Sequence, residues 1–304
     1  MKKIQTTAII GMGALGMLYA DQILTAQPSA SVDFVAEPDR ICRYQEMTST
    51  VNGTPRMFLL KDSHNAEPAD LVIVAVKYTA LSAALDTMTH CIGPNTTIIS
   101  VLNGITSEQI IGERYGAEKV LGCIAQGMDA VKFGGDLTFS KPGELRIGTF
   151  SDDQADRLQS LTEYLTRTGI AYTVEPDIRY RLWGKFMLNV GVNQTCMAYE
   201  TNYGGSLTPG ETYDTMIGAM REVIQLANLE GIPLTEHDLT TYIDLIRTLS
   251  PTGMPSMRQD GISHRKSEVA LFSGTVRTLA ARHHLPVPIN DRLYERILEL
   301  ERQY

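Results

Sequence analysis

Apolar residues in the first half of the chain fall into short runs separated by helix-like stretches. Residues 4–10 form one such run, and in 31–36 Val32, Phe34 and Ala36 alternate against Asp33. Residues 71–76 are unbroken Leu-Val-Ile-Val-Ala-Val, and 97–101 and 120–125 follow in the same style. An unbroken apolar run bounded by turn residues reads as a strand covered on both faces. Between these runs, 14–24, the stretch after Pro38 and 79–91 carry helical spacing. The alternation predicts a parallel, doubly wound sheet. From Met128 to Phe150 the chain is glycine-rich, and two β-like runs around Lys141-Pro142-Gly143 predict an antiparallel hairpin or edge addition.

After a last strand at 170–174 the strand pattern stops. Long helical patterns occupy 177–197, 211–230, 235–248, 264–284 and 289–303. The expected boundary lies near Glu175-Pro176, giving an α/β domain over 1–175 and an all-helical domain over 176–304.

Composition fits this division. A chain of 304 residues exceeds the size at which one core stops growing, and 43% hydrophobic with 20% charged residues is ordinary globular usage. The formal charge is 27 − 35 = −8, so neither nucleic acid nor an anionic membrane is an expected partner. Lys2-Lys3 followed by apolar residues resembles the start of a secretory signal, but Gly11, Gly13 and Gly16 break the run. With no stretch of 18 apolar residues, no transmembrane helix is expected, and the chain reads as a soluble cytoplasmic protein. Cys42, Cys91, Cys123 and Cys196 are scattered, as are six histidines, so neither a disulfide framework nor a metal site is expected.

The chemistry begins at Gly11-Met12-Gly13-Ala14-Leu15-Gly16, which follows a strand and opens a helix. In that context the first glycine makes the turn, the second admits a pyrophosphate, and the third packs helix on strand; this is a Rossmann-type dinucleotide fingerprint. Glu37, 26 residues after Gly11 at the end of the second strand, is placed to accept from a ribose hydroxyl and to repel a 2′-phosphate. Arg40 and Arg43 nearby could answer a phosphate instead. Lys77 and Asn103 follow strands at their carboxyl ends, where open α/β sheets bind ligands.

The segment 182–193 is apolar or glycine except for Lys185, Asn189 and Asn193, which share an arc of roughly 80° on a helix. A polar arc inside a buried helix must be satisfied internally or face a cleft. Glu268, early in the helix expected at 264–284, sits on an apolar face and wants a cation, for which Lys185 is the candidate. Ser256 lies in a Pro/Gly-containing stretch, 250–261.

Together these residues resemble the ketopantoate reductase (2-dehydropantoate 2-reductase) family. The resemblance rests on G-M-G-A-L-G at 11–16, V-K at 76–77, N-G at 103–104, L-W-x-K-x-x-x-N-x-x-x-N from Leu182 to Asn193, S-M-x-Q-D from Ser256 to Asp260, and Glu268 twelve residues beyond Ser256. It implies NAD(P)H-dependent reduction of ketopantoate to pantoate, as in pantothenate and coenzyme A biosynthesis. Under it, Lys185 is the general acid and Glu268 positions it. Asn103, Asn189, Asn193, Asn202 and Ser256 bind the substrate, while Gly11 to Gly16, Glu37, Lys77 and Asn103 bind the cofactor. A small 2-oxo acid is the implied partner, and a second copy of the chain is a candidate one.

The chain departs from the family in three respects. Glu37 stands where NADP-using members tend to carry arginine, so NADP, the family expectation and the leading cofactor, competes with NAD. An Asn-Gly pair of the family reads Asn202-Tyr203-Gly204 here. Members reducing other 2-oxo acids exist, so an NADH-dependent reductase of another 2-oxo acid is an alternative, as is a dinucleotide-binding sensor without catalysis.

Overall fold

A computed structural model of the chain describes residues 3–304; Lys2 of the basic pair lies outside them. The chain divides into two compact units, one ending at Ile178 and the other running Arg179–Tyr304.

The first unit alternates strands and helices: β1 (Thr6–Ile10), α1 (Ala14–Ala26), β2 (Ser31–Ala36), α2 (Pro38–Gln45), β3 (Thr50–Val51), β4 (Thr54–Pro55), β5 (Leu59–Asp62), β6 (Leu71–Val74), α3 (Leu81–Thr87), β7 (Thr97–Ser100), α4 (Ser107–Tyr115) and β8 (Val120–Met128). It continues with β9 (Val131–Phe133), β10 (Asp136–Thr138), β11 (Pro142–Gly148), α5 (Ala155–Arg167) and β12 (Tyr172–Val174). The main sheet has eight strands in the order β12-β11-β8-β7-β6-β1-β2-β5. From β8 to β5 every pairing is parallel, whereas β11 joins β8 antiparallel. The chain leaves β1 toward β2 and β5, then returns to β6 on β1's other side. The switch point therefore lies between β1 and β6, where a crevice opens at the strands' carboxyl ends.

Alternation within the apolar strands supplies both faces of the sheet. Ile9, Ile73, Ile99 and Leu121 enter one core, while Ile10, Val72, Val74, Ile98 and Val120 enter the other. Helix α1 is held by Met17, Leu18, Tyr19 and Ile23, each no more than 2% exposed. At about 1.5–3 kcal/mol per buried side chain, that packing outweighs the ~1 kcal/mol forgone by having no side-chain N-cap. The amino end of α1 thus carries neither a side-chain cap nor an acidic residue in its first turn to compete with an anion.

Several expectations need correction. Strand β6 stops at Val74, because Ala75 and Val76 turn over the glycine loop: Ala75 N donates to Ile10 O at 2.8 Å, and the Ala75 carbonyl abuts Gly11. The hairpin expected around 141–143 lies instead at β9–β10, closed by Gly134-Gly135, within a separate four-stranded sheet β4-β3-β10-β9. The other alternative, an antiparallel addition to the edge of the parallel strands, is what the run 142–148 forms as the long partner of β8. The helix expected at 79–91 is broken into a 3₁₀ turn, α3 and a second 3₁₀ turn. Helices α4 and α5 were not anticipated.

The second unit is helical: α6 (Ile178–Ala198, which begins at the last residue of the first unit), α7 (Tyr203–Ser206), α8 (Glu211–Leu229), α9 (Glu236–Arg247), α10 (Ser256–Ile262), a π-turn Ala270–Gly274 leading into α11 (Thr275–His283), and α12 (Pro288–Glu301). Two glycines seat α6. A Cβ on Gly184 would lie 2.5 Å from the Tyr242 hydroxyl of α9, and one on Gly191 2.5 Å from Met220 Cγ of α8. Both glycines lie about 150° around the helix from the Lys185, Asn189, Asn193 arc.

Candidate active site

The glycine loop separates three roles. Gly11 has φ +106°, and a Cβ there would lie 2.6 Å from the Ala75 carbonyl oxygen. A Cβ on Gly16 would strike the Gly11 carbonyl at 2.1 Å, so that glycine is fixed by helix–strand packing. At Gly13, the N-cap of α1, a Cβ would meet only the Ala75 carbonyl, at 3.7 Å. The fold does not demand glycine there; the space a Cβ would fill lies beside uncapped helical N–H groups, with no acidic residue in the first turn. This is the cradle a pyrophosphate requires, so the residues fit a dinucleotide. Met12, Ala14 and Leu15 contribute backbone to the same loop.

Glu37 caps α2: its carbonyl accepts from Arg40 N at 2.9 Å and Ile41 N at 3.0 Å. Its carboxylate Oε1 accepts from the Thr87 hydroxyl at the end of α3, 3.0 Å away; the same hydroxyl lies 3.1 Å from the Ala83 carbonyl. Arg43 is engaged with Asp39 at 2.8 Å. Glu37 and Thr87 line a cavity of about 430 Å³ with Ser63, His64, Asp86 and His90. The hydrogen bond that His64 donates to the Asp62 carboxylate, with the charge of Asp62, raises the His64 pKa, and the charge of Glu37 adds to this. Lys77 is exposed just beyond β6, its carbonyl accepting from Ala80 N at 2.8 Å. Asn103 is half-buried beyond β7, next to Gly104 at φ +91°. Both stand at the carboxyl side of the sheet, as expected.

In the helical unit, α6 presents Lys185 half-buried and Asn189 and Asn193 buried, at 8% and 5% exposure. Asn193 Nδ2 donates to Asn189 Oδ1 at 3.1 Å. What remains is one buried donor, Asn189 Nδ2, and one buried acceptor, Asn193 Oδ1, neither with a partner. Exchanging oxygen and nitrogen in both amides leaves the same inventory, so the result does not depend on their assignment. Buried polar atoms without partners are rare and call for a ligand or water.

Other expected residues are placed differently from their sequence reading. Glu268 is not inside a helix: it forms the bend before the π-turn, and its carbonyl accepts from Leu271 N at 2.9 Å and Phe272 N at 3.2 Å. The segment 263–269 cannot be helical because it is drawn to α12, where Glu301 accepts from Ser267 N at 2.7 Å. Ser256, in the Pro/Gly-containing stretch, is the first, exposed residue of α10. Asn202 caps α7, its Oδ1 accepting from Gly205 N at 2.9 Å, which leaves its Nδ2 donors and one lone pair of Oδ1. Burial pushes the Cys91 thiol up to about 11 and the Cys196 thiol to about 12, so neither is a thiolate at neutral pH. Among the described residues, no group of His, Cys, Asp and Glu is arranged to hold a metal ion, and no helix is long and apolar enough to cross a membrane.

Sequence reasoning missed Thr87 and Gln194. Thr87 carries no motif. Gln194 follows Asn193 and precedes Thr195 in an apolar helix, a polar cluster that the four-residue spacing of the arc passes over.

Comparison with known proteins gives a consistent result. The profile described as "Ketopantoate reductase PanE/ApbA" matches residues 7–152, and "Ketopantoate reductase PanE/ApbA C terminal" matches 177–301. A 2-dehydropantoate 2-reductase of Streptococcus pyogenes serotype M6 is 22% identical over 285 residues, 92% of each chain. A D-mandelate dehydrogenase solved with NADH and anilino(oxo)acetate superposes with TM-score 0.87 at 20% identity, covering 98% of both chains. A dimeric ketopantoate reductase from Staphylococcus aureus superposes with TM-score 0.81 at 20% identity, covering 98% of this chain and 99% of that one.

Proposed function

We propose, from the premise that the chain belongs to the ketopantoate reductase family and is an oxidoreductase, that it reduces ketopantoate, a 2-oxo acid bearing a hydroxyl, to pantoate. The observation that carries the substrate is the Asn189–Asn193 pair, with one unspent donor and one unspent acceptor. A substrate hydroxyl satisfies both at once, accepting from one amide and donating to the other, in the place a water would otherwise take. Ketopantoate has such a hydroxyl at C4.

When bound, the reduced nicotinamide supplies hydride to the ketone carbon. Lys185 then gives its proton to the ketone oxygen, stabilising the charge that develops there. Glu268 directs Lys185, and Asn189 with Asn193 orients the chain of the substrate. Ser256 meets the carboxylate with its hydroxyl. Asn103 and the free amide of Asn202 complete the polar lining. Gly11 to Gly16 with the amino end of α1 hold the pyrophosphate, and Lys77 stands at the cofactor.

For the cofactor the reading favours NADH over the family's NADPH. Glu37 is held by Thr87 rather than free to swing aside, its second oxygen is available to a ribose hydroxyl, and Arg43 is occupied by Asp39. A 2′-phosphate there would meet like charge. A homodimer forms part of the same reading, tested by light scattering in solution.

A second reading, reduction of a 2-oxo acid without the hydroxyl, draws on the likeness to a D-mandelate dehydrogenase solved with NADH. One experiment separates the two: steady-state rates with ketopantoate, its 4-deoxy analogue 3,3-dimethyl-2-oxobutanoate, and phenylglyoxylate, each with NADH and NADPH. Sites built to bond a hydroxyl reject the analogue lacking it, by up to roughly 10⁴-fold. Ketopantoate is expected to lead its deoxy analogue by at least about 10²-fold in kcat/KM. Parity between them removes the hydroxyl argument, and faster turnover of phenylglyoxylate transfers the chain to the second reading.

A further inference from the structure

Glu268 is followed by the π-turn Ala270–Gly274, in which Gly274 N donates to the Val269 carbonyl at 3.0 Å. In an α-helix that carbonyl would serve Ser273 N. Widening the turn by one residue therefore releases the Ser273 N–H, in a residue with no exposure at all. The group that takes it is the Gln194 side chain of α6, whose Oε1 accepts from Ser273 N at 3.0 Å. Gln194 is itself fixed, donating to the Val190 carbonyl at 2.9 Å and lying 3.3 Å from Asn290 Oδ1. Asn290 also accepts from the Ser273 hydroxyl at 2.9 Å and donates to the buried Glu222 of α8 at 2.7 Å. On the other flank, Ser267 is tied to Glu301.

We propose that Gln194 is a positioning residue: it satisfies the one backbone donor that the π-turn strands, and so holds the Glu268 bend in register with the helix that carries Lys185, Asn189 and Asn193. The inference rests on the role given to Glu268 above. Without the Gln194 carbonyl, the buried N–H can recover a partner by closing the π-turn to an α-turn. That removes one residue from the widened turn, and because Ser267 stays anchored on α12 the change, about 100° per residue, falls on Glu268 and Val269 between them. The Glu268 carboxylate is then re-aimed, away from the position that the proposed function gives it beside Lys185. π-Turns of this kind recur at functional sites because they re-aim a side chain without disturbing the rest of the helix.

The test compares Gln194→Leu, which removes the acceptor, with Ser273→Ala, which removes the hydroxyl bond to Asn290 but keeps the N–H bond to Gln194. Gln194→Asn, too short to reach, replaces Gln194→Leu if the latter does not fold. The loss of acceptor is expected to lower kcat at least tenfold, with the Kd for NADH, read by fluorescence, within twofold of wild type. Ser273→Ala is expected to keep kcat within threefold. A Gln194 variant with wild-type kcat overturns the proposal, as does a Ser273→Ala variant as impaired as Gln194→Leu. The crystal structure of the Gln194 variant reads the same question without turnover: a closed turn at 269–274 supports the proposal, and an unchanged π-turn with Glu268 in place overturns it. If the wild type reduces no 2-oxo acid, the functional reading fails, while the structural comparison still decides the role of Gln194.

Discussion

Thr87 donates its hydroxyl to the Glu37 carboxylate at 3.0 Å, joining the end of β2 to the end of α3 across 50 residues of sequence. A carboxylate at this strand end discriminates ribose from phosphorylated ribose only if it stays in place. The hydroxyl supplies that constraint for one oxygen and leaves the other for a ligand.

Glu37→Arg is accordingly expected to move the NADPH/NADH ratio of kcat/KM toward NADPH by at least tenfold, and Thr87→Val to narrow the wild-type preference without inverting it. Binding constants for the two dinucleotides, measured without substrate, check the same point. A wild type that prefers NADPH and a Glu37→Arg variant with the same ratio would show that Glu37 does not read the ribose.

Lys185→Ala is expected to keep the fold and NADH affinity and to lose roughly 10²–10⁴-fold in kcat, the usual share of a positioned general acid. Glu268→Gln should be impaired as well, with the double variant losing less than the product of the two single losses, because residues acting as one unit are not additive. Independent, multiplicative losses would dissolve the pair.

The glycine loop predicts a split between stability and binding. Gly16→Ala forces a Cβ to within 2.1 Å of a backbone carbonyl and should cost about 1–3 kcal/mol, lowering Tm by several degrees. Gly13→Ala has room in the protein, so its Tm should stay near wild type while the Kd for NADH rises at least tenfold. Calorimetry and titration of the two variants side by side test this.

Asp129 gives a pH-dependent prediction. The Ser140 hydroxyl and the N–H groups of Lys141 and Ser140 bond its carboxylate and hold its pKa near 2, below the ordinary 3.8. A pKa depressed in the folded state means stability that is complete above 3.8 and is lost as pH falls toward 2. The urea midpoint of Asp129→Asn should therefore fall less than that of wild type between pH 5 and pH 2. Parallel curves would mean the bonded carboxylate adds nothing to this dependence.

Much of the α/β unit was legible because buried parallel strands leave an unbroken apolar signature, as in the run beginning at Leu71. The arc Lys185, Asn189, Asn193 was legible because polar residues stand out in a helix otherwise apolar. Gly143 misled: it resembles a turn residue, but it has φ +71° within β11, and a Cβ there would lie 2.3 Å from the Gln126 carbonyl, so it marks close backbone approach between strands. The π-turn left no periodic trace, since one extra residue per turn is visible only through the hydrogen bonds it reroutes. Thr87 was invisible because its partner is remote in sequence and the bond is made by tertiary structure alone.

The division of α6 into a polar arc and an opposed glycine arc makes that helix separable for directed evolution. Replacing Gly184 or Gly191 drives side-chain atoms into Tyr242 or Met220, so such clones should vanish from a library selected for soluble expression. Replacing Asn189 and Asn193 together removes both ends of their mutual hydrogen bond along with the two atoms the fold leaves unpaired, so those double clones should survive with altered substrate range, whereas a single replacement strands the other amide. A library confined to that pair, with Lys185 kept, can therefore sample new 2-oxo acids at little cost in foldedness.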